Sequence, residues 1–145
     1  MKVRDIMTQP AIHVAPGESV EVAARTLTHY NIGMLPVCGA GGSLCGVVTD
    51  RDLVTRCVAS GRKPSETMVR DVMTGQVEAV KPDMDAAVAA HLMGRLQVRR
   101  LPVVENGQLC GMVSLADLAA REQSVMDAAD ALCDITSNLS DRKSQ

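Results

Sequence analysis

The chain has 145 residues, 46% of them hydrophobic and 22% charged, with a formal net charge of -2. That length buries a sizeable core without disulfides or a structural metal, and the composition excludes wholesale disorder and fibrous repeats. With one aromatic residue, Tyr30, and no basic field, the chain lacks the platforms and charge that hold nucleic acid, which is not an expected partner.

An internal repeat organises the chain. V-R-D-I-M-T (Val3–Thr8) returns as V-R-D-V-M-T (Val69–Thr74), an offset of 71 − 5 = 66. L-P-V at Leu35–Val37 returns at Leu101–Val103, and L-C-G-V-V-T from Leu44 returns as L-C-G-M-V-S from Leu109. The opening segment has no apolar core of a secretory leader. No apolar run reaches the ~20 residues that span a bilayer, so no membrane is expected.

Each copy reads alike in chain order. Short alternating segments, Ala11–Val14 and Val77–Val80, predict strands. Ser19 and Asp85 follow as helix N-caps. Val20, Ala23, Ala24 and Leu27 make one apolar helix stripe, and Ala86, Ala89, Ala90 and Met93 repeat it. Two strands come next: Met34–Val37 and Leu44–Val48 around Gly39, Gly41 and Gly42, then Leu101–Val104 and Leu109–Val113 around the hairpin signal Asn106-Gly107. A helix closes each copy, from about Arg51 to Ala59 and from about Ala116 onward. The fold class is thus α/β (α+β): β-α-β-β-α repeats at 1–60 and 67–121, packed about a pseudo-twofold because ~60 residues alone are marginal, with a linker at 61–66. Beyond Arg121, over 122–145, Val125, Ala128, Ala129, Leu132, Ile135 and Leu139 predict an amphipathic C-terminal helix whose S-D-R-K-S-Q end frays.

The informative segments are Gly46-Val47-Val48-Thr49-Asp50-Arg51-Asp52 and Gly111-Met112-Val113-Ser114-Leu115-Ala116-Asp117, both G-h-h-[TS]-x-x-D. The hydroxyl residue falls where a strand ends and a helix begins, beside unpaired N–H groups and the positive dipole end. A hydroxyl there bonds a phosphate oxygen, and an Asp one turn later accepts from a ribose diol. The same [TS]-x-x-D is also a capping box, which periodicity does not distinguish. Arg95, Arg99 and Arg100 form a basic cluster that attracts phosphate or is simply solvated. His13, His29 and His91 lack metal-ligand spacing, so no metal is expected. The five cysteines, without a C-x-x-C, read as reduced thiols of a cytoplasmic protein. Cys45 and Cys110 hold equivalent places before the motif glycine and read as small buried thiols.

The order D-[IV]-M-T, L-P-V and G-h-h-[TS]-x-x-D, met twice, resembles a tandem pair of cystathionine-β-synthase (CBS) domains, the Bateman module, over nearly all of residues 1–121. It is similar to stand-alone bacterial CBS-pair proteins. The resemblance implies a non-catalytic regulatory module that senses an adenosine-containing ligand (AMP, ADP, ATP, S-adenosylmethionine or cyclic di-AMP) in the cleft between repeats, with no required cofactor. It implies phosphate at Thr49 and Ser114, ribose at Asp52 and Asp117, and adenine near Ile12 or Val77 and near Pro36 and Pro102. Arg100 would reach a phosphate; its first-copy counterpart is Met34. Leu115 and Ala116 stand where the first copy has Asp50 and Arg51, so unequal affinities are expected. A homodimer and an unidentified protein target complete the expectation. The alternative is a ligand-free dimeric scaffold whose motifs only cap helices and whose C-terminal helix meets a partner.

Overall fold

The computed structural model describes residues 1–121 and 125–143, with side chains through Ser137. Residues 122–124, 144 and 145 and the side chains beyond Ser137, that of Leu139 among them, lie outside that description; of the S-D-R-K-S-Q end expected to fray, Ser140–Lys143 continue the C-terminal helix. Two compact units result: Ala11–Val77 with Gly107–Leu109 (the first unit), and Met1–Pro10, Glu78–Asn106 and Cys110–Gln145 (the second).

The first unit starts with α1 (Val20–Tyr30), capped by Ser19, whose side chain accepts from the Val22 N–H at 3.1 Å. It ends at Asn31, which takes the left-handed conformation (φ 53°) that Asn tolerates. Val20, Ala23 and Leu27 are buried, but Ala24 is exposed and drops out of the expected stripe. β1 (Met34–Cys38) pairs antiparallel with β2 (Leu44–Thr49), with a bulge at Val37/Cys38. The helix α2 (Asp50–Asp52) runs on as π-helix over Leu53–Val58, filling the helix expected at 51–59. β3 (Thr74–Gly75) adds to β2.

The second unit repeats this plan. α3 (Ala86–Leu96) buries Ala86, Ala89, Ala90, Met93 and Gly94. Asp85 stands at its N-cap without a capping bond; its carboxylate lies 3.2 Å from Lys2 Nζ instead. β4 (Arg100–Glu105) and β5 (Gln108–Ser114) form the expected hairpin, with positive φ at both Asn106 (53°) and Gly107 (77°). After β5 come α4 (Leu115–Ala119) and α5 (Val125–Lys143), which pack on α3.

The strands expected at 11–14 and 77–80 shrink to one parallel bridge each, Val14 with Val37 and Val80 with Val103. Only Val14 and Val80 carry paired backbone there, through Pro36 O and Pro102 O at 3.1 and 3.0 Å.

The compact units also differ from the sequence copies. Val3–Asp5 and Val69–Asp71 each form one 3₁₀ turn. Val3 and Ile6 are buried in the second unit's core, with Val3 N–H bonded to Met84 O and Thr8 paired with Met112. Val69 and Val72 are buried in the first unit's core. So the segment that opens each copy serves the unit built from the other copy, and the linker at 61–66 lies within the first unit. Across the described residues no helix is long and apolar enough to cross a membrane.

Candidate functional site

The two strand-to-helix junctions share one local geometry. Thr49 and Ser114 sit in extended conformation at the helix N-caps. Asp52 N–H donates to Thr49 Oγ1 at 3.0 Å and Thr49 N–H donates to Asp52 Oδ2 at 3.0 Å. Asp117 N–H donates to Ser114 Oγ at 3.1 Å and Ser114 N–H donates to Asp117 Oδ2 at 2.8 Å. Both are complete capping boxes. Capping does not exhaust these groups. Each hydroxyl still has a proton to donate, and each carboxylate a second oxygen to accept.

Those second oxygens differ. Asp52 Oδ1 lies 3.7 Å from Arg56 Nε, and the Arg56 guanidinium also donates to Val72 O and Met73 O. The equivalent Arg121 (121 − 56 = 65) donates to Asp5 O. Among the described residues, Asp117 has no ion pair within 4.0 Å.

The glycine that opens each motif lets backbone approach. A Cβ on Gly46 would collide with the Thr74 carbonyl oxygen, and one on Gly111 would stand 2.9 Å from Thr8 O. These close passes bring the D-[IV]-M-T segments against β2 and β5.

In the second unit the junction opens on a cavity of about 520 Å³. Arg99, Arg100 and Ser114 line it on the polar side, and Leu115, Ala116 and Ala119 line it from α4. The rest of the wall is α5, through Val125, Ala128, Ala129 and Leu132. Two arginines and a serine on an otherwise apolar wall suit an anion attached to an apolar body.

Of the residues singled out by sequence, this cavity unites Arg100 and Ser114. Asp117 stands one turn along α4, and Pro102 is buried within β4. In the first unit, Thr49, Arg51 and Asp52 lie at one junction; Pro36 is buried in β1, and Ile12 and Val77 are half-buried. Sequence reasoning missed α5 as a wall. Its signal is present in the sequence, because Val125, Ala128, Ala129 and Leu132 make an i, i+3, i+4, i+7 stripe, which only the scaffold alternative gives to a partner.

Burial pushes the Cys38 thiol above its ordinary range, and neighbouring Cys45 adds to this. Cys110 is raised too, by burial and by the Glu105 charge. Cys38 is buried, whereas Cys45 and Cys110 are only half-buried. Among the described residues no group of three or more His, Cys, Asp or Glu is placed to hold a metal ion.

The chain is 37% identical over 134 residues to the CBS domain-containing protein YhcV of Bacillus subtilis (strain 168), covering 92% of this chain and 94% of that protein. It is 31% identical over 132 residues to hypoxic response protein 1 of Mycobacterium tuberculosis (strain ATCC 25618 / H37Rv), covering 90% and 92%. The crystal structure of hypoxic response protein I with two coordinated zinc ions is similar at a TM-score of 0.78 and 31% identity, over 83% of this chain and 98% of that one. The CBS domain pair of protein MJ0100, solved with 5′-methylthioadenosine and S-adenosyl-L-methionine, is similar at a TM-score of 0.73 and 26% identity, over 83% and 94%. The CBS domain model matches residues 3–59 and again 69–131, and the chain belongs to that family as a tandem CBS pair.

Proposed function

We propose that this CBS pair is a non-catalytic regulatory module that senses an adenosine-containing ligand. The observation that carries the reading is the second unit's cavity, where the motif residue Ser114 and Arg100 line one largely apolar space. A volume of about 520 Å³ suits a nucleoside-sized molecule. Ser114 Oγ donates to a phosphate oxygen, Arg100 pairs with its charge, and the open oxygen of Asp117 accepts from ribose. At the first unit's junction Thr49, Arg51 and Asp52 make the corresponding set, with Ile12, Val77 and Pro36 against the base, and Pro102 has that role in the second unit. That the MJ0100 pair was solved with two adenosine compounds supports the ligand class. The ligand acts by differential affinity: it favours the conformation it binds best, and a protein partner reads that conformation. The module works as a homodimer in the cytoplasm.

A second reading keeps the chain as a ligand-free scaffold. The complete capping boxes favour it, since they give Thr49, Asp52, Ser114 and Asp117 a structural role without any ligand.

Thermal shift separates the two, using AMP, ADP, ATP, S-adenosylmethionine and cyclic di-AMP. A ligand at ~100 times its dissociation constant adds ~2.7 kcal/mol of stability. The expected result is a rise in Tm with at least one of these, lost in Ser114→Ala and Arg100→Ala. No shift with any of them sinks the sensor reading and leaves the scaffold.

A further inference from the structure

We infer that α5 is a ligand-contacting wall of the second unit's cavity, and that this cavity takes a phosphorylated adenosine in preference to a cationic one. The inference rests on the sensor reading above and adds an element outside the repeated pattern.

The helix presents two adjoining stripes. Ala128, Ala131 and Ile135 are buried in the core with α3 and α4. The approach is close because α3 carries Gly94: a Cβ there would stand 3.0 Å from Asp134 Oδ2 and 3.2 Å from Ala131 Cα. The other stripe covers the cavity. Val125 and Leu132 remain 45% and 43% exposed there, although a helix fixed this firmly has the means to bury them. Apolar side chains held over an open space gain from an apolar body placed beneath them.

Charge narrows the occupant. Arg99 and Arg100 line the cavity, and none of its described lining residues is acidic. An anion is attracted there, whereas the sulfonium and ammonium of S-adenosylmethionine are repelled. The first unit's junction is mixed in charge. Its equivalents of Arg99, Arg100, Leu115 and Ala116 are Gly33, Met34, Asp50 and Arg51, and Asp50 Oδ2 lies 3.5 Å from where a Gly33 Cβ would stand.

The test uses the full chain with ATP and S-adenosylmethionine as probes. Calorimetric titration gives affinity, and hydrogen exchange over 125–137 reports on α5. ATP should bind about tenfold or more tightly than S-adenosylmethionine and slow exchange in α5. Ala129→Trp fills the cavity and Leu132→Glu sets a negative charge on its wall. Each should weaken ATP about tenfold or more, while Met126→Glu, on the same helix but away from the cavity, changes nothing. If Ala129→Trp fails to fold, Leu132→Glu and the wild-type exchange still decide. Wild-type ATP affinity in both variants, with α5 exchange unmoved, overturns the α5 inference and leaves the sensor reading standing. S-adenosylmethionine bound as tightly as ATP overturns the charge preference. Absence of binding by either probe, or by AMP, ADP and cyclic di-AMP, overturns the sensor reading itself.

Discussion

Thr28 and Gly94 hold the same place in the two copies, 66 residues apart. Thr28 is exposed on α1 and its hydroxyl donates to Ala24 O. Gly94 is buried on α3, against Ala131. One turn earlier, Ala24 is exposed and Ala90 buried, although both are alanine. The difference is α5, which lies on α3 and joins its core. The same helix converts the second junction from an open strand end into a walled cavity. Two copies of one local plan therefore differ in structure because α5 packs on α3 and α4 of the second.

The largest expected effect tests that cause. Gly94→Leu drives a side chain into Ala131 and Asp134 and should cost about 3 kcal/mol, within the range of overpacked cores. Thr28→Leu, at the equivalent exposed position, should stay within about 0.5 kcal/mol. Urea unfolding of the two variants measures both, and equal costs break the comparison.

A smaller effect separates the two capping boxes. Asp52→Ala and Asp117→Ala each remove a carboxylate from a helix first turn and should each cost about 1 kcal/mol. Asp52→Ala should cost a few tenths more, on the order of a partly exposed ion pair, because Arg56 loses its partner. Denaturation midpoints of the pair, repeated in high salt, check this; the excess should shrink as salt rises.

The smallest effect is a pH dependence. The thiols of Cys38 and Cys110 are held above their ordinary range in the folded chain. The folded state therefore keeps these protons where the unfolded state has released them. This stabilising contribution is complete below the ordinary thiol value of about 8.5 and is lost as pH rises above it. Cys38→Val, the residue type that the second copy carries at Val104, should flatten part of that alkaline decline. Thermal melts from neutral pH upward show whether it does.

Much of the fold was legible because its causes are local. Ser19 caps α1 through a bond three residues long, and Asn106-Gly107 supplies the two positive φ values of its hairpin. The [TS]-x-x-D spacing specified both capping boxes and, with them, the places of Thr49, Asp52, Ser114 and Asp117. Asp85 shows where local reasoning stops: its position is that of a cap, but Lys2, distant in sequence, takes its carboxylate. The strand signals at 11–14 and 77–80 were overread because alternation says which side chains face inward, not how many backbone groups find partners.

By itself the sequence determined the repeat, the order of elements, the caps and turns, and the junctions where the candidate site lies. Each follows from hydrogen bonds or side-chain periodicity within a few residues. Tertiary structure alone decided which unit each V-R-D-[IV]-M-T segment serves, since the two are nearly identical and their Val and Ile or Val side chains suit either core. It also decided the fate of the tail stripe. Ala128 and Ile135 went to the core with Ala131, while Val125, Ala129 and Leu132 were left facing the cavity. Periodicity marks an apolar face; only the shape of the surface it meets, here set by Gly94, decides how much of that face is buried.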